Sequence, residues 1–187
     1  MLIETIKNIM LSLEEYAVVD ENATMLDALV ALDESQDKVP IGRHPHRAVL
    51  VKDHEGNIVG KLGHLAFFAG LEPKYEELGD LSTLSRVGLN PTFMKSMMQD
   101  LALWNLDCDH YARRAMEIPV NEVMHPVIEH VDENDRIEEA IHKLIMYQTL
   151  SLVVTKADKP VGILRLADIF PVVAKMIRSC ADNPNRK

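Results

Sequence analysis

The sequence predicts an α/β fold of two βαββα units packed together, with a helical segment inserted between them. Two observations predict it: the chain repeats itself once, and every length difference between the repeats falls between elements. VDENATMLDALVAL, starting at Val19, and VDENDRIEEAIHKL, starting at Val131, share six of fourteen residues, including Ala28 with Ala140 and Leu32 with Leu144. Upstream, Ile6, Ile9 and Met10 stand as Val120, Val123 and Met124 do. Downstream, residues 48–51 (AVLV) parallel 151–154 (SLVV), and Val59-Gly60 parallels Val161-Gly162. Met10 precedes Ala66 by 56 positions, whereas Met124 precedes Asp168 by 44. Of the 12 extra residues, two follow the Met, nine lie between helix and strand, and one is in the strand-to-strand turn. Insertions there are well tolerated, and a repeat decides the architecture before any motif is read.

Each unit reads in the same order. Asp20-Glu21-Asn22 and Asp132-Glu133-Asn134 are polar start signals for helices with apolar residues at helical spacing: Met25, Leu26, Leu29, Leu32, and Ile137, Ile141, Leu144, Ile145. A β-branched run follows, then a polar turn at 53–57 or 156–160, then a second strand over 58–62 or 161–164. That is a hairpin. A last helix has Leu65, Phe67 and Phe68, or Leu166, Ile169 and Phe170. A unit this small cannot cover both faces of its sheet, so two must share a core. The expected division is 1–70 first repeat, 71–118 insert, 119–180 second repeat and 181–187 tail. In the insert, Asn90-Pro91 is a cap followed by Pro at the first helical position. Phe93, Met94, Met97, Met98, Leu101 and Trp104 then mark an apolar face, either packed on the core or presented to a second copy or partner. A further short helix is expected over 109–116.

Composition bounds the function. The 187 residues are 47% hydrophobic and 26% charged, with 20 Lys+Arg against 29 Asp+Glu, which is globular and acidic at net −9. That balance argues against a nucleic-acid or anionic-membrane binder, and 5% aromatic content against a base-stacking platform. No apolar run reaches the ~18 residues of a membrane span. The start MLIETIKNIM lacks a signal-peptide layout, and Cys108 and Cys180 make no disulfide framework, so a cytoplasmic location is expected.

The ordered motifs VNEVM (120–124), SLVVT (151–155) and VGILRLAD (161–168), matched by IKNIM (6–10), AVLVKD (48–53) and VGKLGHLA (59–66), resemble a tandem pair of CBS (cystathionine-β-synthase-type) domains. The resemblance implies two units about a pseudo-two-fold axis, usually paired into homodimers that regulate an effector protein. It implies two clefts that commonly bind AMP, ADP, ATP or S-adenosylmethionine as regulatory ligands, with no required cofactor and no catalysis. Asp168 matches the family's ribose-binding acid, as an alternative to a plain first-turn helix acid. Arg165 replaces the usual Ser or Thr, either to hold a phosphate or as an ion-paired arginine. His130 stands where Thr is frequent, and Ile128 would line the adenine slot. In the first unit Ala66 replaces the acid and Gly63 the hydroxyl, so no ordinary nucleotide site is expected there, although Gly63-His64 leaves room for a phosphate to approach.

Other clusters are weaker. Arg43-His44-Pro45-His46-Arg47, in the nine-residue insertion, reads as a basic loop, a phosphate contact with Lys52, or a metal site with His54. Asp107-Cys108-Asp109-His110 reads as a helix cap before a metal site or a cysteine nucleophile, because adjacent helical residues point apart. No G-x-S-x-G, P-loop or G-x-G-x-x-G occurs. A non-catalytic regulatory module is the expectation, with a ligand-free scaffold as the alternative.

Overall fold

A computed structural model describes residues 5–77, 90–104 and 107–182. Within the expected insert, residues 78–89 and 105–106 lie outside the described residues, as do 183–187 of the expected tail. Two four-stranded sheets form, each from one unit plus one strand of the other. The first unit contributes β2 (Val18–Asp20), α1 (Met25–Gln36), β3 (Ala48–Lys52), β4 (Ile58–Gly63) and α2 (His64–Leu71). α3 (Lys74–Glu77), α4 (Pro91–Asp100) and α5 (Cys108–Glu117) follow. The second unit contributes β6 (His130–Asp132), α7 (Ile137–Met146), β7 (Ser151–Lys156), β8 (Lys159–Arg165) and α8 (Leu166–Ala181), and α6 (Val120–Val123) leads into it.

The sequence did not reveal the remaining strands. β1 (Leu11–Ser12) pairs antiparallel with β8, placing Leu11 opposite Ile163 and Ser12 opposite Gly162. β5 (His125–Pro126) pairs antiparallel with β4 through Gly60 and Lys61. The turns before these strands cross with them. Ile6 and Lys7 N–H donate to the Asp135 and Glu133 carbonyls at 3.1 and 2.9 Å, and Val120 N–H donates to Ala23 at 2.8 Å. Each unit therefore lends its leader to the other.

The core follows the exchange. Ile6 and Ile9 are buried with Val131, Ile137, Ala140, Leu152, Val154 and Ile169 of the second unit. Val120 is buried with Val19, Ala28, Val49, Val51 and Leu62 of the first. Leu11, Tyr16, Leu50 and Ile163 close the space between the sheets. Neither unit completes its apolar core without the other's leader.

Two helix readings shift by one face. In α1 the buried positions are Met25, Ala28 and Ser35, while Leu26 and Leu29 are exposed. In α7 Ala140 takes the place expected for Ile145, which is exposed. Small alanines let each helix approach its sheet closely, which turns the bulkier residues outward. The start of α1 is capped by Thr24, whose side chain accepts from Asp27 N–H while Asp27 returns a bond to Thr24 N–H. Asn90 caps α4 as expected, accepting from Thr92 N–H at 2.8 Å, but Phe93, Met94 and Met98 on that helix remain exposed.

The paired glycines of the two Val-Gly motifs are explained by the exchange. A Cβ on Gly162 would run into the main-chain carbonyl of Leu11, which cannot yield without breaking the β1–β8 pairing. A Cβ on Gly60 would meet only the flexible Met124 side chain. We predict that Gly162→Ala lowers stability by about 2–3 kcal/mol in urea denaturation and that Gly60→Ala costs less. Equal costs would show that the leader crossing is not what fixes Gly162.

Candidate functional site

The cleft that the sequence points to lies where β8 runs into α8. Arg165 is the last residue of β8 and the N-cap of α8, so Asp168 falls at the third helical position and faces back toward it. The pair is bidentate: Arg165 Nε donates to Asp168 Oδ2 at 2.6 Å and Nη2 to Oδ1 at 2.9 Å. Both side chains are buried, 7% and 1% exposed. Arg165 Nη1 reaches across to the first unit, donating to the carbonyls of His44 (3.0 Å) and Pro45 (3.4 Å) and to His46 Nδ1 (3.2 Å). From that same loop, Arg43 Nη1 meets Asp168 Oδ1 at 3.1 Å and donates to the Ile9 carbonyl at 2.8 Å. The insertion in the first unit thus folds over the start of α8. A cavity of about 260 Å³ remains beside it, lined by Asn8, Gly42, Arg43, His44, Asp168 and Pro171 among others.

The inner wall is aromatic and uncharged. His46 is buried, and its ring packs edge-on against Tyr16 with centroids 4.3 Å apart. Gln36 holds the His46 backbone from both sides, its Nε2 donating to the carbonyl and its Oε1 accepting from the N–H. Burial and the neighbouring Arg165 charge lower the His46 pKa, opposed by the Glu15 backbone and by Asp168. A neutral ring is what Arg165 requires, because Nδ1 must accept. Burial pushes the Tyr16 hydroxyl up to about 12.

The structure sets the four residues expected from the sequence in different surroundings. Asp168 is in the cleft, but both of its oxygens already hold guanidinium groups. Arg165, expected either to hold a phosphate or to be ion-paired, is paired with Asp168 and bonded to the His44–His46 stretch; being buried, it needed those partners. His130 and Ile128 do not line this cleft. His130 sits on β6, separated from β8 by β7, about 10 Å away at ordinary strand spacing. Its carbonyl accepts from Lys143 Nζ at 2.8 Å, and Ile128 is 73% exposed. Residues from the first unit take those places, because the exchanged leader brings Asn8 and Ile9 to α8.

In the first unit Ala66 is buried at the position matching Asp168, and Gly63 is the N-cap of α2 without a side-chain cap bond. Lys61, which sequence reasoning missed, points across from β4 to the second unit, donating to the Ser151 carbonyl (2.7 Å), Thr149 Oγ1 (3.1 Å) and Ser151 Oγ (3.3 Å). Burial lowers its pKa. The available signal was a lysine at a position where the second repeat has Ile163. The Asp107 cluster is a cap: Asp107 Oδ1 accepts from His110 N–H at 2.8 Å.

Two predictions follow from these contacts. Asp168→Ala leaves a buried guanidinium without its carboxylate and should cost about 3 kcal/mol by chemical denaturation, with part recovered in the Arg165→Met, Asp168→Ala double variant. A simple sum of the single-variant costs would refute a closed pair. The pH effect has a fixed sign. The His46 pKa is depressed by folding, so its contribution is fully present above the usual histidine value near 6.5 and is lost as pH falls toward the lower folded value. Melting midpoints should fall on acidification below about pH 6.5, less steeply in His46→Gln. An identical slope in that variant would assign the effect elsewhere.

Comparisons with known proteins identify the fold. Residues 120–175 match the family model described as CBS domain. No curated protein sequence is significantly similar to the chain. Among solved structures, the CBS domain of a CBS domain-containing membrane protein from Sphaerobacter thermophilus is similar at TM-score 0.60 and 18% identity, covering 89% of this chain and 86% of that one. CBSX2 in complex with AMP is similar at TM-score 0.57 and 19% identity, covering 92% and 97%. A CBS domain-containing protein from Bacillus anthracis is similar at TM-score 0.60 and 18% identity, covering 93% and 95%. One unit, residues 120–175, thus matches the CBS-domain model directly, and the fold of the whole chain is that of solved CBS-domain structures.

Proposed function

We propose that this protein is a regulatory module that binds an adenine nucleotide in the Asp168 cleft. The observation behind this reading is the Asp168 carboxylate, set at the start of α8 beside a cavity walled by both units. A carboxylate is the group that a ribose diol needs, each charge-assisted bond contributing about 1.5–3 kcal/mol. Of its two arginines, Arg165 is fixed by five contacts, whereas Arg43 is on a loop and 29% exposed. Arg43 is thus the group that can leave Asp168 Oδ1 and turn to a phosphate, freeing an oxygen for ribose. The cavity of about 260 Å³ lies below the ~300 Å³ at which small-molecule pockets begin. A nucleotide therefore enters by displacing residues 42–44. Because the displaced charge is a guanidinium, AMP, ADP and ATP suit this cleft better than S-adenosylmethionine, which has no phosphate. The AMP complex of CBSX2, a protein of the same fold, supports the choice of ligand.

Exposed Ile145, Met146, Phe170 and Ile177 on the second-unit helices support pairing with a second copy, through which an effector protein would sense the ligand. The exposed free thiols of Cys108 and Cys180 suit a reducing cytoplasm. A second reading has one specific observation behind it. Asp168 is already saturated by protein donors, as in a CBS pair that serves as a ligand-free scaffold for dimerisation or partner binding.

Calorimetric titration with AMP, ADP, ATP and S-adenosylmethionine separates the two. The nucleotide reading expects saturable binding, weakened at least about tenfold in Asp168→Asn and in Arg43→Ala. Binding unchanged by both variants would place the ligand elsewhere, and no heat with any adenine compound would leave the scaffold.

A further inference from the structure

We infer that the first-unit cleft, which has no acid for a ribose, is an oxyanion site centred on Lys61 and suited to a phosphate group. The two clefts are built on opposite charge logic. Each unit sends one cation across to the helix-to-strand loop of the other: Arg165 to His44–His46 and Lys61 to Thr149 and Ser151. Arg165 has a carboxylate beside it on its own helix. At the matching position on α2 stands Ala66, and among the described residues Lys61 makes no ion pair. Its three bonds go to a carbonyl and two hydroxyls, all uncharged. The ammonium is hydrogen-bonded but its charge is uncompensated, and partial burial already disfavours it. An anion placed there regains that energy.

The surroundings leave room for it. Gly63, two residues along β4 on the face of Lys61, replaces the Arg165 side chain; a Cβ there would meet only the Arg47 carbonyl, at 3.9 Å. Thr149 replaces His46, and Ile128, exposed, replaces the buried Tyr16. The β6–β7 register sets His130 opposite Val153, so Ile128, two residues earlier, falls beside Ser151. His125, opposite Lys61 in the β4–β5 pairing, is exposed on the same side. The Ser151 hydroxyl hydrogen has no acceptor among the described residues. An ammonium, a hydroxyl, an exposed imidazole and an open glycine thus share one face, with Ile128 as an apolar edge for whatever bears the phosphate. The groups that fill the Asp168 cleft from within are the ones this cleft lacks. This inference does not rest on the nucleotide reading of that cleft.

The test uses the whole chain and inorganic phosphate, with sodium chloride holding ionic strength constant. Phosphate should raise the melting midpoint saturably. Lys61→Met, which keeps the aliphatic length, should weaken the response at least about tenfold, whereas Lys159→Met, at the exposed start of β8, should retain it. A second readout does not depend on stability. After reductive 13C-methylation, the NMR signal absent from Lys61→Met should titrate at a higher pH when phosphate is present. A response kept in Lys61→Met, one lost equally in Lys159→Met, or a Lys61 titration unmoved by phosphate would each overturn the proposal.

Discussion

The exchange of leaders is the constraint on which the rest of the molecule depends. Ile6, Ile9 and β1 complete the second unit, and Val120, Val123 and β5 complete the first. A β-sheet edge and an apolar face are both satisfied by the partner unit, so neither half has a finished core alone. The crossing also decides what lies in each cleft. Once residues 8–9 are committed to the start of α8, the loop over 42–46 is carried to Asp168, and the symmetric loop over 149–151 is carried to Lys61. Sites between the units are a consequence of how the units are tied.

Symmetry of the backbone with asymmetry of the charges gives the molecule its character. At the position of Arg165 the first unit has Gly63, and at that of Asp168 it has Ala66. One cleft is closed by a buried bidentate pair with a neutral His46 and a protonated Tyr16 behind it. The other contains a lone ammonium among hydroxyls. A buried pair of this kind adds little net stability but is costly to break. It therefore acts chiefly as a specificity device, fixing residues 42–46 in one place. Arg43 is the exception, a partly exposed member whose removal leaves Arg165 still paired.

Much of the fold was legible because period and repeat are local properties of a sequence. The hairpin turn at Asp53, whose Oδ1 accepts from Glu55 and Asn57 N–H, and the cap at Asn90 are encoded within five residues, and both were read correctly. Contacts between units were not legible. The motif identifies Asp168 as the match of a ribose-binding acid, but nothing local announces that Arg43, far away in sequence, will meet it. Ile128 and His130 are candidates only because the resemblance aligns them with the family's cleft positions. The leader exchange instead puts residues of the opposite repeat there. The face errors in α1 and α7 have a similar cause: large apolar residues signal burial in a sequence, yet the close approach made by Ala28 and Ala140 decides the contact.

A ligand in either cleft would act on the same mechanical element. Arg165 and Lys61 both bridge from the last strand of one unit to the helix-to-strand loop of the other, so an anion that draws on Arg43 or Lys61 changes the forces across one shared interface. Because that interface includes the exchanged strands, it cannot slide by small amounts without breaking ladder bonds such as Leu11 with Ile163. A response to ligand would consequently be discrete rather than graded. The size of the response is bounded by how much more tightly the ligand holds one arrangement than the other. Two phosphate-responsive clefts on one interface would also be coupled reciprocally, each altering the affinity of the other by the same factor. The tie between the two halves would itself provide the state that the clefts share.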